Sequence, residues 1–436
     1  MRTRSLFSAA ASLAIVVAAC SGGATTAPTT ASTAPATSAP TTATASGSTA
    51  PASAAPASGG PSTNLPTSIG PGEGEVDIIV WAGYAEDGSN VKEYDWVHPF
   101  IAANPDCAKV NVKPADTSDA MVSLMQGGGG GLYDGVSASG DASNTLINRG
   151  DVAEINVDLI PDFKDITPFL QSPAHNTVNG KHFGVSHGWG GNTLMYRTDV
   201  VTPAPTSWDV TFDPAKMAAN KGKITAYGGS IYIADAALYL KAHNPDLGIT
   251  DPYELTQPQF DAAINLLKAQ HPFIGKYWEA YADEIDNFTN GATVVGTTWP
   301  YQTNTLKAAG VKVNAIVPTE GMTGWADTWM LASKAKHPNC MYKWMAWMVT
   351  PHVQAEVAEF FGEAPANPKA CTELDKVYGS YGVKNFCTLY SVNDKSFYDS
   401  ISFWKTPQAD CGDSRGQTCV SYDKWVTAFQ AVKAGS

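Results

Sequence analysis

Lysine and arginine are scarce in this chain of 436 residues: 28 stand against 41 aspartates and glutamates, for a formal net charge of −13. A surface of that sign argues against nucleic acid, whose affinity comes from neutralising phosphates, and against peripheral binding to anionic lipid. The eight histidines are scattered, and neither HExxH nor an EF-hand loop nor a C-x-x-C pair occurs, so no metal is expected. The five glycines at 127–131 lack the G-K-[ST] ending of a phosphate loop and read as a flexible connection. No cofactor is expected. No internal repeat and no second long apolar run follow the N-terminus.

Two arginines, Arg2 and Arg4, precede an apolar run from Leu6 to Ala19 that is too short for a permanent span. This is the pattern of a secretion signal, expected over 1–19. From Ser21 to about Gly72 the chain is almost only Ala, Thr, Ser, Pro and Gly, with no aromatic and no charged residue. Such a segment cannot bury enough apolar surface to offset its ordering entropy and reads as a stalk, 20–73. A flexible chain of that length has an end-to-end distance of about 40 Å. The rest carries all twelve tryptophans and all seventeen tyrosines and is long enough for two domains.

Besides Cys20 there are six cysteines, at 107, 340, 371, 387, 411 and 419. An even count in an exported chain reads as disulfides, and six allow fifteen pairings. The pairing by sequence proximity is 371–387 and 411–419, leaving 107–340.

Past the stalk, strand and helix patterns alternate. Strands are expected at Val76–Trp81, Ala108–Val112, Tyr133–Val136, Lys223–Ala226 and Thr293–Thr298. Helices are expected near Val91–Asn104, Ser118–Gln126, Ile231–Ala242, Gln259–Gln270, Met341–Thr350, Gln354–Phe360 and Ser421–Ala434. Alternation of this kind predicts an α/β architecture with largely parallel sheets. Two such units with ligand loops at strand ends place a cleft between them.

Gly184-Val185-Ser186-His187-Gly188 fits the G-x-S-x-G elbow of serine hydrolases, which would make Ser186 a nucleophile. The elbow requires a helix next, and Trp189-Gly190-Gly191-Asn192 is unsuited to start one. A surface hydrolase is therefore the remote reading, and no catalytic residue is assigned.

Several motifs resemble the extracellular spermidine/putrescine-binding proteins of ABC importers. Val17-Ala18-Ala19-Cys20 resembles a lipobox, which implies a diacylglycerol on Cys20. Trp81-Ala82-Gly83-Tyr84 is similar to that family's aromatic turn, and Tyr133-Asp134-Gly135-Val136 to its Y-D strand. Val185–Gly190, Leu194–Asp199, Ser207-Trp208-Asp209 and the tail Tyr422–Gly435 also fit. The most specific pair is Thr297-Thr298-Trp299 with Gly324-Trp325-Ala326-Asp327. The resemblance implies a two-lobed periplasmic-binding-protein-like fold (type II) with a ligand cleft and hinge. The first lobe would comprise 74–185 plus 322–366, and the second 186–321 plus 367–436. It also implies a monomer that hands a small-molecule ligand to a membrane permease.

A polyamine needs aromatic walls for its methylenes and ammonium groups, each contact worth about 0.5–2 kcal/mol, and carboxylates for its charges. The resemblance puts Trp81, Tyr84, Trp299 and Trp325 in the walls, Trp189 beside the hinge, and the amine on Asp327. Relatives have further acids where this chain reads Tyr227-Gly228-Gly229-Ser230, and a tyrosine near Gly140. Their G-Y-x-x-P-N turn reads Gly362-Glu363-Ala364-Pro365-Ala366-Asn367, which makes Glu363 a candidate second carboxylate. A polyamine or related amine is the expected ligand; a sugar, an amino acid or another neutral or zwitterionic solute is the alternative.

Overall fold

The computed structural model describes residues 65–377, 385–411 and 418–435. The expected signal 1–19, Cys20 and most of the 20–73 stalk lie outside them.

The first apolar stretch forms the strand Glu75–Val80, which pairs in parallel with Lys109–Pro114 on one side and Gly135–Ser139 on the other. Helices Val97–Ala103 and Ser118–Leu124 make the connections, the layout that parallel strands require. The expected helix 91–104 begins late. The backbone N–H groups of Trp96 and Val97 bond to the carbonyl of Glu86, which folds the preceding residues into a turn.

A long strand, Met322–Leu331, is buried along its whole length. It runs antiparallel to Gly135–Ser139 and to Val185–Gly191, and parallel to Ile401–Phe403. Ala364–Pro365 closes the edge beside Val185–Gly191, giving seven strands. A second sheet has five, in the order Val313–Ile316, Thr193–Arg197, Val295–Thr298, Ile224–Tyr227, Ile274–Trp278. Helices Ile233–His243 and Gln257–Gln270 pack together beside it. The chain is α/β with two main sheets, as expected, but the sheets are mixed and not largely parallel, because Met322–Leu331 and Thr193–Arg197 each run antiparallel to two neighbours. No helix among the described residues is long and apolar enough to cross a membrane.

The lobes divide differently from the expected boundaries. Val185–Gly191 belongs to the first sheet and Thr193–Arg197 to the second, so the first crossing is at Asn192, not at 185/186. The tail from 367 does not all join the second lobe. Helix Ala370–Val377 packs on helix Pro351–Val357, and Ile401–Phe403 extends the first sheet. The last helix, Tyr422–Lys433, packs on the second lobe against Gln257–Gln270, and the segment before it is tied there too, by the Val420 N–H to the Leu255 carbonyl and by Lys405 to Asp251 and Glu254. Burial explains the difference: Phe169, Trp189, Tyr398 and Phe403 form one aromatic cluster that holds 397–403 against the first sheet.

The three disulfides are Cys107–Cys340, Cys371–Cys387 and Cys411–Cys419. The long-range one ties the segment entering Lys109–Pro114 to the apolar helix Pro338–Met348. On that helix Trp344 is fully buried, with its ring 5.1 Å from Phe100.

Candidate functional site

Ser186 sits inside the strand Val185–Gly191, fully buried and accepting a hydrogen bond from Asn176 Nδ2 at 3.1 Å. The elbow geometry of a hydrolase is absent there. The glycines of this strand serve close approach instead. A Cβ on Gly188 would lie 2.0 Å from the Glu363 carboxyl, and one on Gly190 would lie 2.8 Å from the Trp325 ring. Bare backbone at these two positions is what lets both side chains lie flat on the sheet.

Trp325 and Asp327 alternate with Ala326 along the long strand and so project from the same face. Trp81 leaves the end of Glu75–Val80, and a turn in which Tyr84 N–H bonds to Trp81 carbonyl brings the phenol back over the sheet. Glu363 follows a π-helical turn, Ala358–Gly362, and precedes the short edge strand. Trp299 comes from the second lobe, between Val295–Thr298 and helix Pro300–Ala308. The Gln302 side chain accepts from the Trp299 backbone N–H at 2.6 Å and fixes that junction.

These elements converge. The Tyr84 hydroxyl is 2.6 Å from Asp327 Oδ2 and 2.6 Å from Glu363 Oε2, and Ser139 Oγ donates to Asp327 Oδ1. All of these groups are buried. Burial pushes the Glu363 carboxyl up to about 8, against the hydrogen bond from Tyr84. Burial also raises Asp327, to about 6, opposed by His187, Ser139 and Tyr84. His187 is pushed by burial down to about 4, with Asp327 pulling the other way. Its Nε2 meets Ser137 Oγ at 2.8 Å, while its Nδ1 is 3.7 Å from Glu363, beyond hydrogen-bond reach. The ring faces Tyr84 at 4.6 Å and Trp329 at 5.2 Å.

A phenol has one proton, so Tyr84 donates to only one of its two carboxyls. The other must carry a proton to complete the second short contact. The higher-lying Glu363 fills that role near neutral pH. The corner then holds one negative charge, on Asp327, and one displaceable proton.

Around this corner the walls are aromatic. Trp299 and Trp325 meet across the lobes at 5.8 Å, and Trp325 and Phe361 at 6.2 Å. A cavity of about 60 Å³ lies between Trp299, Tyr301, Trp325, Phe360 and Phe361. One of about 10 Å³ reaches Asp327 past Trp81, Ser139 and Trp404. The lobes are therefore closed, with Trp81, Trp299 and Trp325 at most 8 % exposed.

Six of the expected ligand residues thus come together: Trp81, Tyr84, Trp299, Trp325, Asp327 and Glu363. The seventh, Trp189, does not. It projects from the opposite face of its strand to Gly188 and Gly190, into the cluster of Phe169, Tyr398 and Phe403. Trp404 joins the site although no sequence motif singles it out. Its carbonyl lies where a Cβ on Gly140 would go, at 2.0 Å, and its ring stacks 5.6 Å from Tyr227. It occupies the wall beside Gly140, where the resemblance implies a tyrosine in relatives.

A family model described as bacterial extracellular solute-binding protein matches residues 95–378. The putrescine/agmatine-binding protein of Pseudomonas aeruginosa is 26% identical over 310 residues, covering 66% of this chain and 81% of that one. The spermidine/putrescine-binding periplasmic protein of Escherichia coli K12 is 22% identical over 299 residues, 66% of this chain and 80% of its own. Among solved structures, the spermidine/putrescine ABC transporter substrate-binding protein PotD of Streptococcus pneumoniae superposes with a TM-score of 0.59 at 17% identity, over 83% of this chain and 99% of that one. MotA of A. tumefaciens B6, in complex with glucopine, gives 0.59 at 15%, over 82% and 99%. The match spans more than half of the chain, across both sheets and the cleft between them, and the chain belongs to the bacterial extracellular solute-binding proteins, a family of binders and not of enzymes.

Proposed function

We propose that this protein is the receptor of an ABC importer and captures a small amine outside the cell for delivery to a membrane permease. One observation carries the reading: two buried carboxyls converge on the Tyr84 hydroxyl inside a box of tryptophans. An ammonium entering that corner replaces the proton on Glu363 and meets two carboxylates, while its alkyl body lies along Trp299, Trp325 and Phe361. Because both acids meet at one hydroxyl, they make a single cationic subsite. A ligand with one ammonium in the corner and a second, solvent-facing or uncharged end fits better than a long polyamine held at both ends.

The relatives named for putrescine, agmatine and spermidine support the amine class. A zwitterionic ligand is the second reading, favoured by the indole N–H groups of Trp81, Trp325 and Trp404. These are buried without an acceptor and would serve a ligand carboxylate or hydroxyl. Thermal-shift screening with putrescine, agmatine, spermidine, quaternary amines, amino acids and sugars separates the two. Stabilisation by cations alone supports the amine, and stabilisation by amino acids alone removes it.

The lipid on Cys20, the 20–73 tether and a monomeric state complete the proposal. A tethered receptor stays near its permease, and the stalk is long enough to clear the headgroups.

A further inference from the structure

Asn192 is the one residue between the first-sheet strand Val185–Gly191 and the second-sheet strand Thr193–Arg197. Its backbone N–H donates to the Thr323 carbonyl at 2.8 Å, which binds the two inter-lobe crossings to each other. Its side chain makes two further bonds. Nδ2 donates to Thr323 Oγ1 at 2.7 Å, and Oδ1 accepts from Trp299 Nε1 at 3.0 Å. Thr323 Oγ1 in turn donates to Asp235 Oδ2 at 3.1 Å, in the first turn of helix Ile233–His243.

Every donor in this chain points the same way, from the indole through the amide and the hydroxyl to the carboxyl. Each group uses a different atom for giving and for accepting, save the hydroxyl oxygen, which does both. Asn192, Thr323 and Asp235 are all buried, so none of these bonds is exchanged for water at no cost. Bonds aligned in this way polarise one another. The two ends, Trp299 and Asp235, belong to the second lobe. The two middle members are at the crossings, so a change in lobe angle alters the geometry at both ends.

We infer that Asn192, Thr323 and Asp235 are positioning residues for ligand binding, a hydrogen-bond relay that fixes the Trp299 indole to the hinge. None of them touches the carboxylate corner. They act by holding the ring that closes it from the far lobe, so that placement of the aromatic wall and hinge conformation are set together. The effect on affinity rests on the amine reading above; the effect on Trp299 does not.

The test uses the mature protein and three variants. Thr323→Val keeps the shape and loses the hydroxyl, Thr323→Ser keeps the hydroxyl, and Asp235→Asn keeps an acceptor while removing the charge. In protein labelled with ¹⁵N-tryptophan, the Trp299 indole signal is assigned by its loss in Trp299→Phe. Thr323→Val should shift that signal and speed its exchange with solvent by about tenfold, the consequence of one broken relay. Thr323→Ser should leave the signal in place, and Asp235→Asn should shift it less than Thr323→Val. Calorimetry with putrescine should then show about tenfold weaker binding for Thr323→Val and near-parental binding for Thr323→Ser. An unmoved Trp299 signal in Thr323→Val, or equal disturbance in the Ser variant, overturns the relay. Should Thr323→Val not fold, an unmoved signal in Asp235→Asn overturns it as well. If the parent protein binds no putrescine, the amine reading fails while the Trp299 signal still decides the inference.

Discussion

Amine binding should release a proton, and its affinity should rise with pH through neutrality. In the ligand-free corner Glu363 titrates near 8 and Asp327 near 6, both raised by burial. A bound ammonium favours the charged forms, so Glu363 must ionise first. The apparent affinity then scales with the ionised fraction of Glu363, a fraction of about one half at pH 8 and about one hundredth at pH 6. From pH 8 down to pH 6 the loss of charge on Glu363 should therefore lower the affinity by about fiftyfold, or about 2.3 kcal/mol at 1.36 kcal/mol per tenfold change, and half-protonation of Asp327 at pH 6 adds about a further twofold. Below pH 6 the fall should steepen as Asp327 also takes up a proton. Calorimetry with putrescine at pH 7, in buffers of different ionisation enthalpy, should give close to one proton released per ligand. Glu363→Gln should abolish the release and flatten the profile between pH 6.5 and 8.5. An affinity that is flat over that range in the parent protein, or proton uptake, would refute the protonated-corner argument.

Other consequences follow from the same geometry. Asp327→Asn removes the charge that persists at neutral pH and should weaken amine binding at least thirtyfold, about 2 kcal/mol at the low end for a buried charge pair, as read by calorimetry. Gly188→Ala places a methyl on the Glu363 carboxyl; it should displace that side chain and remove the pH dependence, which binding profiles at pH 6.5 and 8.5 would show. Ligand-free stability should decline between about pH 5 and 8. Glu363 near 8, with Asp141 and Asp235 near 7, titrate above ordinary unfolded carboxyls, so the folded state holds more protons over that window and loses stability as they leave. Melting curves across that window check the sign. Replacing Cys107 and Cys340 together by serine opens a loop of 233 residues and should cost up to about 5 kcal/mol on the chain-entropy account, measurable by denaturant unfolding.

Much of the cleft is legible in the amino-acid sequence. The Trp299 and Trp325-Ala326-Asp327 segments carry it because strand alternation forces Trp325 and Asp327 onto one face, and that pattern is local. Glu363 is readable from its place in a familiar turn, and it lands on the same hydroxyl as Asp327. Trp189 goes astray for the reason that makes Trp325 right: along Val185–Gly191 the odd and even positions face opposite ways, and sequence alone does not say which face meets the cleft. Trp404 carries no local signal, because its position depends on residues 397–403 returning to the first sheet. That return is driven by an aromatic cluster assembled from Phe169, Trp189 and Tyr398, residues distant in sequence. The relay through Asn192 is equally hidden, since it joins positions 192, 235, 299 and 323 that meet only after both sheets have formed.

On the proposed reading, a positive charge is what the cleft selects. Putrescine and 1,4-butanediol share length and methylenes and differ only in their ends, so calorimetry of the two against the protein at pH 8 addresses it directly. Putrescine should give a saturable signal that disappears in Asp327→Asn, and the diol should give none. Equal binding of both, or binding of the diol alone, would contradict it.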